Sequence, residues 1–314
     1  MQTSSHQAPV KLRIGTRGSP LALAQAKMVR EGLCRAHGLS EAEVSIQIIS
    51  TTGDRVQDRP LSELGGKGLF TKEIEIALLR DEIDLAVHSM KDVPTVLPEG
   101  LLITNMLPRE DPRDAFFSPV ANSTSELPQG AIIGSASLRR AAQARALRPD
   151  LEVVNFRGNL DTRLEKLRRG DVHATFLALA GIRRLGIEEH ITSIVDETEM
   201  LPAVAQGAIG IETRESDTNT RQKIASLGHE ETEIAVSCER AFLATLDGSC
   251  RTPIAGLARL KNGEISFHGL VIRADGSESL TATRQGPASD AHAMGVDAGN
   301  ELLARGASVF IEDV

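Results

Sequence analysis

Tyrosine and tryptophan are absent from the sequence, and phenylalanine occurs only eight times. Such a composition lacks the aromatic platforms on which single-stranded nucleic acids stack. The 35 basic residues are outnumbered by 43 acidic ones, and the net charge of −8 argues against a general nucleic-acid binder. No apolar run approaches the ~20 residues that span a bilayer, and the polar start, MQTSSHQAPV, lacks the apolar segment of a signal peptide. We therefore expect a cytoplasmic protein without nucleic-acid or membrane partners.

Cysteine is scarce as well. Three cysteines, an odd number without a pairing pattern, fit a reducing compartment and not a disulfide framework. Cys238 follows a helical periodicity and is expected in the core, and Cys34 lies late in a predicted helix. Cys250, in the loop sequence LDGSCRTPIAG, has neither this periodicity nor a second Cys or His at ligand spacing, so no metal site is expected. The pattern leaves Cys250 as either an incidental loop residue or a functional thiol.

The first two-thirds of the chain alternates short apolar runs with helical patterns, which predicts an α/β fold. The predicted strands are 11–17, 44–50, 83–89, 131–137, 151–157 and 174–181, and the predicted helices are one starting at Ser19 and those over 70–82, 138–148 and 159–170. A break rich in proline and charge, 107–116, divides this region into two similar units. The repetition predicts two lobes with a cleft at the carboxyl ends of their strands.

From about residue 230 the pattern changes. A helix over 231–247 precedes the Cys250 loop, and alternating apolar residues follow it with hairpin signals at Asn262-Gly263 and Asp275-Gly276. A final helix is predicted over 289–306. These elements indicate a small antiparallel α+β domain with Cys250 at its entrance.

Polar and charged residues collect where predicted strands end and helices begin. The sequences GTRGS, HSMKDVP, GSASLRR and FRGNLDTR place at such junctions Arg17, Ser19, Ser89, Lys91, Asp92, Ser135, Ser137, Arg139, Arg140, Arg157 and Arg163. Helix N-termini favour anions, and arginine normally avoids them, so its recurrence at these junctions predicts a cleft for several carboxylates or phosphates. A single arginine pair, by contrast, is typical of a solvated helix face.

Asp92 is a lone acid among these cations. It is either a salt-bridge partner in a turn or a group that transfers protons and stabilises positive charge. LGGKGLF lacks the upstream glycine and the Ser/Thr of a phosphate-binding P-loop, and His88 is expected to pack at its strand end. The polar, glycine-rich segment 50–68 is long for a compact domain and predicts a lid.

Nine strings carry a resemblance to a known family. In order from residue 11 to the C-terminus they are GTRGSPLALAQ, GGKGLFTKEIE, AVHSMKDVP, REDPRDAF, GSASLRRAAQ, FRGNLDTRLEKL, LALAGIRRLG, LPAVAQGAIGIETR and LDGSCRTPIAG. Together they resemble the porphobilinogen deaminase (hydroxymethylbilane synthase) family. The resemblance implies an α/β fold with two lobes like those of type II periplasmic binding proteins, built from mixed sheets with flanking helices, and a small C-terminal α+β domain with an antiparallel sheet. The implied domains are 11–107 with 208–225, then 112–201, then 230–314.

The same resemblance implies a chemistry. In this family the loop cysteine, here Cys250, carries a dipyrromethane cofactor through a thioether. Four porphobilinogen units are added head to tail with loss of ammonia, and the product, hydroxymethylbilane, is hydrolysed off. Every ring bears acetate and propionate groups, which match the predicted polyanion. We therefore expect a monomeric transferase of tetrapyrrole and heme biosynthesis.

Matching of motifs assigns roles residue by residue. The resemblance implies that Asp92 is catalytic, together with Arg17, Arg139, Arg140, Arg157 and Arg163. It implies cofactor contacts by Cys250, Lys91, Ser89, Asp92, Ser135, Ser137, Arg139, Arg140 and Lys67. It implies substrate contacts by Arg17, Ser19, Arg157, Arg163, Arg184, Phe70 and Gln206.

The chain departs from the family pattern at a few positions. Ala136 replaces a serine, Ala205 a glycine, Asp161 a glycine or asparagine and Ser249 a glycine. None of these changes removes a catalytic group, although Asp161 adds negative charge near an anion site. A rival hypothesis is a non-enzymatic two-lobed anion-binding sensor, which would explain the lobes and the arginines but not Cys250, Asp92 or the third domain.

Overall fold

The computed structural model describes residues 11–55, 68–158, 160–248 and 252–312. Lys67, Cys250 and most of the predicted lid lie outside the described residues. The strands are β1 (Leu12–Thr16), β2 (Val44–Ile48), β3 (Leu85–Ser89), β4 (Leu101–Met106), β5 (Asp114–Phe117), β6 (Ile132–Gly134), β7 (Glu152–Val154), β8 (Ala174–Ala178), β9 (Ser193–Ile194), β10 (Ile209–Arg214), β11 (Ile254–Lys261), β12 (Glu264–Ile272) and β13 (Ser279–Pro287). The helices are α1 (Pro20–His37), α2 (Thr52–Arg55), α3 (Lys72–Leu79), α4 (Leu138–Leu147), α5 (Leu160–Arg168), α6 (Leu179–Leu185), α7 (Thr218–Ile224), α8 (Glu230–Thr245), α9 (Ala291–Ala304) and α10 (Ala307–Glu312).

Two five-stranded mixed sheets have the same layout. The first has the order β2-β1-β3-β10-β4, and the second has the order β7-β6-β8-β5-β9. In each sheet the first three strands are parallel and the fourth runs antiparallel to its neighbours. The chain returns to the first sheet through β10, after it has completed the second. The prediction of two α/β lobes is confirmed, whereas the domain bounds given above stay predictions.

Local signals fix the start of the first lobe. Ser19 caps α1 by accepting a 3.3 Å hydrogen bond from the Ala22 amide, and Pro20 occupies the first helical position. The helix ends at a left-handed Gly38 with φ of +62°. Because β1 ends at Thr16 and α1 begins at Pro20, Arg17 is held in a short junction.

Several predicted boundaries were wrong, among them the ends of the strands predicted over 131–137 and 151–157, which lie at Gly134 and Val154. The strand predicted over 174–181 ends at Ala178, because the chain turns directly into α6. The break predicted over 107–116 also contains the start of β5, whose residues are buried throughout. Asp114 opens this strand with a fully buried carboxylate, and an acidic residue beside prolines had indicated a loop.

A three-stranded antiparallel sheet, β11-β12-β13, packs with α8 and α9. Asn262 and Gly263 both have positive φ (+54° and +80°) in the turn between β11 and β12, which confirms that predicted hairpin. Phe242 of α8 meets Phe267 of β12 at a centroid distance of 5.1 Å in the core. Cys238 is fully buried there, as predicted, and burial raises the pKa of its thiol to about 12.

Candidate active site

Asp92 lies in a short 3-10 turn, Met90–Asp92, that follows the buried strand β3. The turn is fixed from below, because Met90 is buried and its amide donates a 3.0 Å hydrogen bond to the Ala208 carbonyl. Gly210 on the adjacent strand makes room for it, since a Cβ atom there would lie 2.1 Å from the Met90 sulfur. Asp92 itself keeps 31% of its side chain exposed. The fold thus leaves the Asp92 carboxylate partly exposed just beyond the carboxyl end of β3.

Arg17 lies beside this carboxylate. Its Nη1 is 4.0 Å from Asp92 Oδ2, and its guanidinium stacks 4.2 Å from the ring centroid of Phe70. Asp54 accepts from Arg17 Nε at 3.1 Å. Burial opposes ionisation of Asp54, yet hydrogen bonds from Arg17 and Thr51 hold the pKa of this carboxyl below its ordinary value. Arg17 is therefore clamped between two carboxylates and an aromatic face, with its position set before any ligand arrives.

A pocket next to Asp92 gathers several predicted residues. It is lined by Arg17, Ser19, Phe70, Ser89 and Asp92 together with Leu21, Ala22, Gln25, Thr71, Val87 and His88. Gln25 Nε2 lies 2.8 Å from Ser89 Oγ, so helix α1 orients the last residue of β3. His88 is buried against Glu212 at 2.9 Å, which confirms that it packs at the strand end.

Arg139 and Arg140 form a buried cluster with Asp114 in the second lobe. Each guanidinium donates to a different Asp114 oxygen at 2.7 Å. Burial would raise the pKa of Asp114, but the two cations hold it well below its ordinary value. Burial also lowers the pKa of Arg139, against the attraction of Asp114. The arginine pair is thus not a solvated helix face, because Arg139 and Arg140 are 4% and 9% exposed.

Gln206 connects this cluster to Lys91. Its amide nitrogen donates to Asp114 Oδ1 at 2.9 Å and to the Pro112 carbonyl at 2.7 Å, while its amide oxygen accepts from Lys91 Nζ at 3.3 Å. Burial lowers the pKa of Lys91 to about 8, although neighbouring Asp92 opposes that shift. The segment containing Gln206 therefore joins the turn at the end of β3 to the start of β5 in the other lobe.

Two further predicted arginines, Arg163 and Arg184, are partly buried, and the Nε of each has no hydrogen-bond partner among the residues the structure describes. Burial lowers the pKa of Arg163 to about 10, and nearby Arg140 adds to this effect. Burial also lowers the pKa of Arg184 to about 10, and its Nη2 donates to the Gly207 carbonyl at 2.6 Å. Glu110 is an acidic neighbour of Arg184, whereas no acidic neighbour raises the pKa of Arg163.

The other predicted residues lie at the expected junctions. Ser137 caps α4 by accepting from the Arg140 amide, and Ser135 Oγ accepts from the Ser137 amide at 3.1 Å. Arg157 lies between β7 and α5, and its carbonyl accepts from Lys166 Nζ at 3.3 Å. Lys67 and Cys250 cannot be placed, because they lie outside the described residues.

Sequence reasoning missed three residues that organise the site. Asp54 clamps Arg17, Gln25 orients Ser89, and Asp114 holds two arginines. Asp114 alone had a local signal, because it stands at the head of the apolar run DAFF. In the part of the chain described, no three His, Cys, Asp or Glu side chains are grouped as metal ligands, and no helix has the length and apolarity to cross a membrane.

Comparisons with known proteins identify the family. The family model "Porphobilinogen deaminase, dipyromethane cofactor binding domain" matches residues 12–222, and "Porphobilinogen deaminase, C-terminal domain" matches residues 233–304. The porphobilinogen deaminase of Paracoccus denitrificans is 56% identical over 96% of both chains. The chloroplastic porphobilinogen deaminase of Oryza sativa is 56% identical over 98% of this chain and 88% of its own.

Among solved structures, the methionine-binding protein MetQ matches 71% of this chain and 91% of its own, at 12% identity and a TM-score of 0.44. This similarity is too low to support a conclusion about function. The sensor hypothesis is not favoured, because both full-length relatives are deaminases and the family models cover the two lobes and the C-terminal domain. The chain is a transferase and belongs to the porphobilinogen deaminase family.

Proposed function

We propose that this chain joins four porphobilinogen molecules head to tail, with one ammonia lost at each addition. The product, hydroxymethylbilane, is then released by hydrolysis from the cofactor that is anchored on Cys250. The observation that carries the proposal is the Asp92 carboxylate, which keeps 31% of its side chain exposed, with Arg17 4.0 Å away and the desolvated Lys91 next to it in the chain. A monomer in the cytoplasm remains a prediction from the sequence.

The buried cations suit a ligand that carries several carboxylates. Arg163 has no acidic neighbour that raises its pKa, and its Nε has no partner among the described residues. Arg184 Nε is unpartnered as well, and Lys91 is desolvated enough to lower its pKa to about 8. A buried cation without a counter-ion is costly, so binding of acetate and propionate groups would relieve that cost. Arginine suits this task because its planar fork binds a carboxylate in bidentate fashion.

Residues of the same cleft fit a bound dipyrromethane, which carries acetate and propionate groups. Lys91, Ser89, Ser135, Ser137 and the cluster of Arg139 and Arg140 would hold it from the two lobes. When bound, this group supplies the pyrrole terminus to which porphobilinogen units are added. Cys250 is proposed as its thioether anchor, because the resemblance of LDGSCRTPIAG to the family matches this cysteine to the one that carries the cofactor.

Asp92 is proposed as the group that handles positive charge. When the aminomethyl C–N bond of porphobilinogen breaks, the nitrogen leaves as ammonia and positive charge spreads over the pyrrole ring and its methylene carbon. The Asp92 carboxylate can accept a hydrogen bond from the pyrrole N–H and stabilise this charge. It can then hold the proton that is lost from the ring carbon when the new C–C bond has formed. The Arg17 guanidinium, whose Nη1 lies 4.0 Å from Asp92 Oδ2, places a positive charge beside this carboxylate.

Gln206 is proposed to orient Lys91 and Asp114. Its side chain is 1% exposed, and the hydrogen bonds it makes join the two residues across the lobes. Its predicted contact with substrate stays a prediction.

The proposal is tested by comparing wild type, Asp92→Asn and Cys250→Ala after incubation with porphobilinogen. Intact mass is measured on denatured protein, and ammonia release is measured with substrate consumption. Wild type should carry the mass of a dipyrromethane, and Cys250→Ala should lack it. Asp92→Asn should lose about 10²- to 10⁴-fold in kcat, the range for removal of a general acid–base group.

Asp150→Asn is the matched control, because Asp150 is 30% exposed and also lies beside an arginine, Arg148, but does not line the pocket next to Asp92. It should turn over within about 2-fold of wild type, since surface ion pairs contribute little. Wild type that gains no adduct would remove the Cys250 assignment, and Asp92→Asn that works at the wild-type rate would remove the Asp92 assignment.

A further inference from the structure

Arg240 on α8 contacts the chain immediately after Asp92. Its Nη1 donates to the Val93 carbonyl at 3.0 Å, and its Nη2 donates to the Pro94 carbonyl at 2.6 Å. Burial lowers the pKa of this guanidinium. Among the described residues, no acidic neighbour raises the pKa of Arg240 against this effect. The partly buried guanidinium therefore donates its hydrogen bonds to two successive backbone carbonyls.

If this contact served only to stabilise the fold, a desolvated guanidinium would be an unfavourable choice of side chain. A well-packed apolar side chain of similar volume would avoid the desolvation of the guanidinium. What the guanidinium adds is direction, because its rigid fork fixes two acceptors at once. The two acceptors lie one and two residues beyond Asp92, so their placement sets where the turn Met90–Asp92 ends.

The residue before Arg240 on α8, Glu239, also binds other segments of the chain. Glu239 is fully buried and accepts from Arg109 Nη1 at 2.6 Å and from the Ala205 amide at 2.6 Å. Consecutive residues of one helix thus hold the turn that bears Asp92 and the segments that cross between the lobes. The helix ends at Thr245, five residues before Cys250 in the sequence. An α-helix rises ~1.5 Å per residue and is stiff over this length.

We propose that Arg240 is a positioning residue, which holds the Asp92 turn against α8 so that the carboxylate keeps its place relative to a chain anchored beyond the end of that helix. The inference rests on the proposed roles of Asp92 and Cys250. Arg240 touches no reacting atom in this scheme and acts through the carbonyls of Val93 and Pro94.

The test compares Arg240→Met with Arg145→Met. Arg145 also donates to a carbonyl across a packing interface, that of Ala274 at 2.8 Å, but this contact joins α4 to the loop after β12. Measured for each protein are the melting temperature, the mass of the adduct, and kcat and KM per mole of adduct-bearing enzyme. Arg240→Met should keep its adduct, lose about 10- to 100-fold in kcat and change KM by less than about 3-fold, since a displacement near 1 Å has effects of this size. Arg145→Met should retain kcat within about 2-fold.

Arg240→Lys adds a graded readout. An ammonium on a flexible stem lacks the planar fork that directs two N–H groups at the two carbonyls, so its kcat should lie between those of Arg240→Met and wild type and at least about 3-fold below wild type. Should Arg240→Met fail to fold, this variant decides: a wild-type kcat would overturn the proposal. Equal losses of kcat in Arg240→Met and Arg145→Met would overturn it too. Wild type without adduct or ammonia release would instead contradict the proposed function, so the two failures are distinguishable.

Discussion

At the scale of single residues, the backbone conformation of Ala205 is energetically unfavourable. Its φ of +60° lies in the left-handed region, which costs a residue with a Cβ atom about 1–2 kcal/mol. The amide of Ala205 donates to Glu239 Oε2 at 2.6 Å, and its methyl group is fully buried. The hydrogen bond to a buried carboxylate and the packing of the methyl group together hold the unfavourable conformation. The resemblance implies a glycine at this position in the family, so the alanine and glycine forms of this chain are compared directly.

Ala205→Gly is expected to change the free energy of unfolding by less than about 0.5 kcal/mol. Relief of the left-handed backbone offsets the lost burial of a methyl group, ~0.8 kcal/mol, and the extra entropy of glycine when unfolded, about 0.5–1 kcal/mol. Ala208→Gly is the control, because Ala208 is equally buried and its φ is not in the left-handed region. That change should cost about 1.5 kcal/mol. Urea unfolding of both variants measures the difference, and equal losses would refute the argument from backbone conformation.

At the scale of elements, the turn after β3 places Lys91 where its charge is disfavoured. Burial lowers the pKa of Lys91 from 10.5 to about 8 in the folded state. Below about pH 8 both states are protonated, and the full penalty for the buried charge is present. Between about pH 8 and 10.5 the unfolded state binds more protons than the folded state, so stability rises with pH. Lys91 thus weakens the fold at neutral pH while it supplies a cation to the cleft.

Lys91→Met should therefore differ from wild type in a pH-dependent way. The stability of wild type relative to the variant should increase as the pH is raised from about 8 towards 10.5. Urea unfolding at pH 7, 8.5 and 10 measures it. Exposed Lys72 on α3 provides the control variant, Lys72→Met, for the loss of a positive charge. A constant difference between wild type and Lys91→Met over this range would contradict a lowered pKa.

Elements with local signals were predictable, and contacts between distant residues were not. The apolar run of β3 and the Ser19-Pro20 start of α1 are signals carried by neighbouring residues. The predicted bounds of both therefore lie within two residues of the observed ones. Asp114 and Arg139 are 25 residues apart, and Lys91 and Gln206 are 115 apart. No periodicity connects such pairs, because the folding of the two sheets brings them together. Motif resemblance supplied candidates for the site but not the carboxylates that hold its arginines.

At the scale of the whole molecule, Glu239 joins three parts of the chain. Its carboxylate accepts from Arg109 Nη1 and Nη2 at 2.6 and 3.0 Å, from the Ala205 amide at 2.6 Å, and from the Ala258 amide on β11 at 2.8 Å. Arg109 also donates to the Gln206 carbonyl at 2.9 Å. Both segments that cross between the lobes are thereby fastened to α8 and to the C-terminal sheet. A fully buried carboxylate of this kind is stable only when all of its hydrogen-bond donors and its counter-charge are present together.

Glu239→Gln is accordingly expected to cost about 3–5 kcal/mol, the range for breaking a buried ion pair, since it leaves Arg109 without its counter-charge. Glu301→Gln is the control, because Glu301 is 38% exposed in an ion pair with Arg305 and should cost less than about 1 kcal/mol. Arg109→Met combined with Glu239→Leu removes both charges and should lose less stability than the two single changes added together. Thermal unfolding of wild type, Arg109→Met, Glu239→Leu and the double variant gives this coupling. If the double change cost the full sum, the pair would not act as one unit, and α8 would hold the crossing segments through the backbone amides alone.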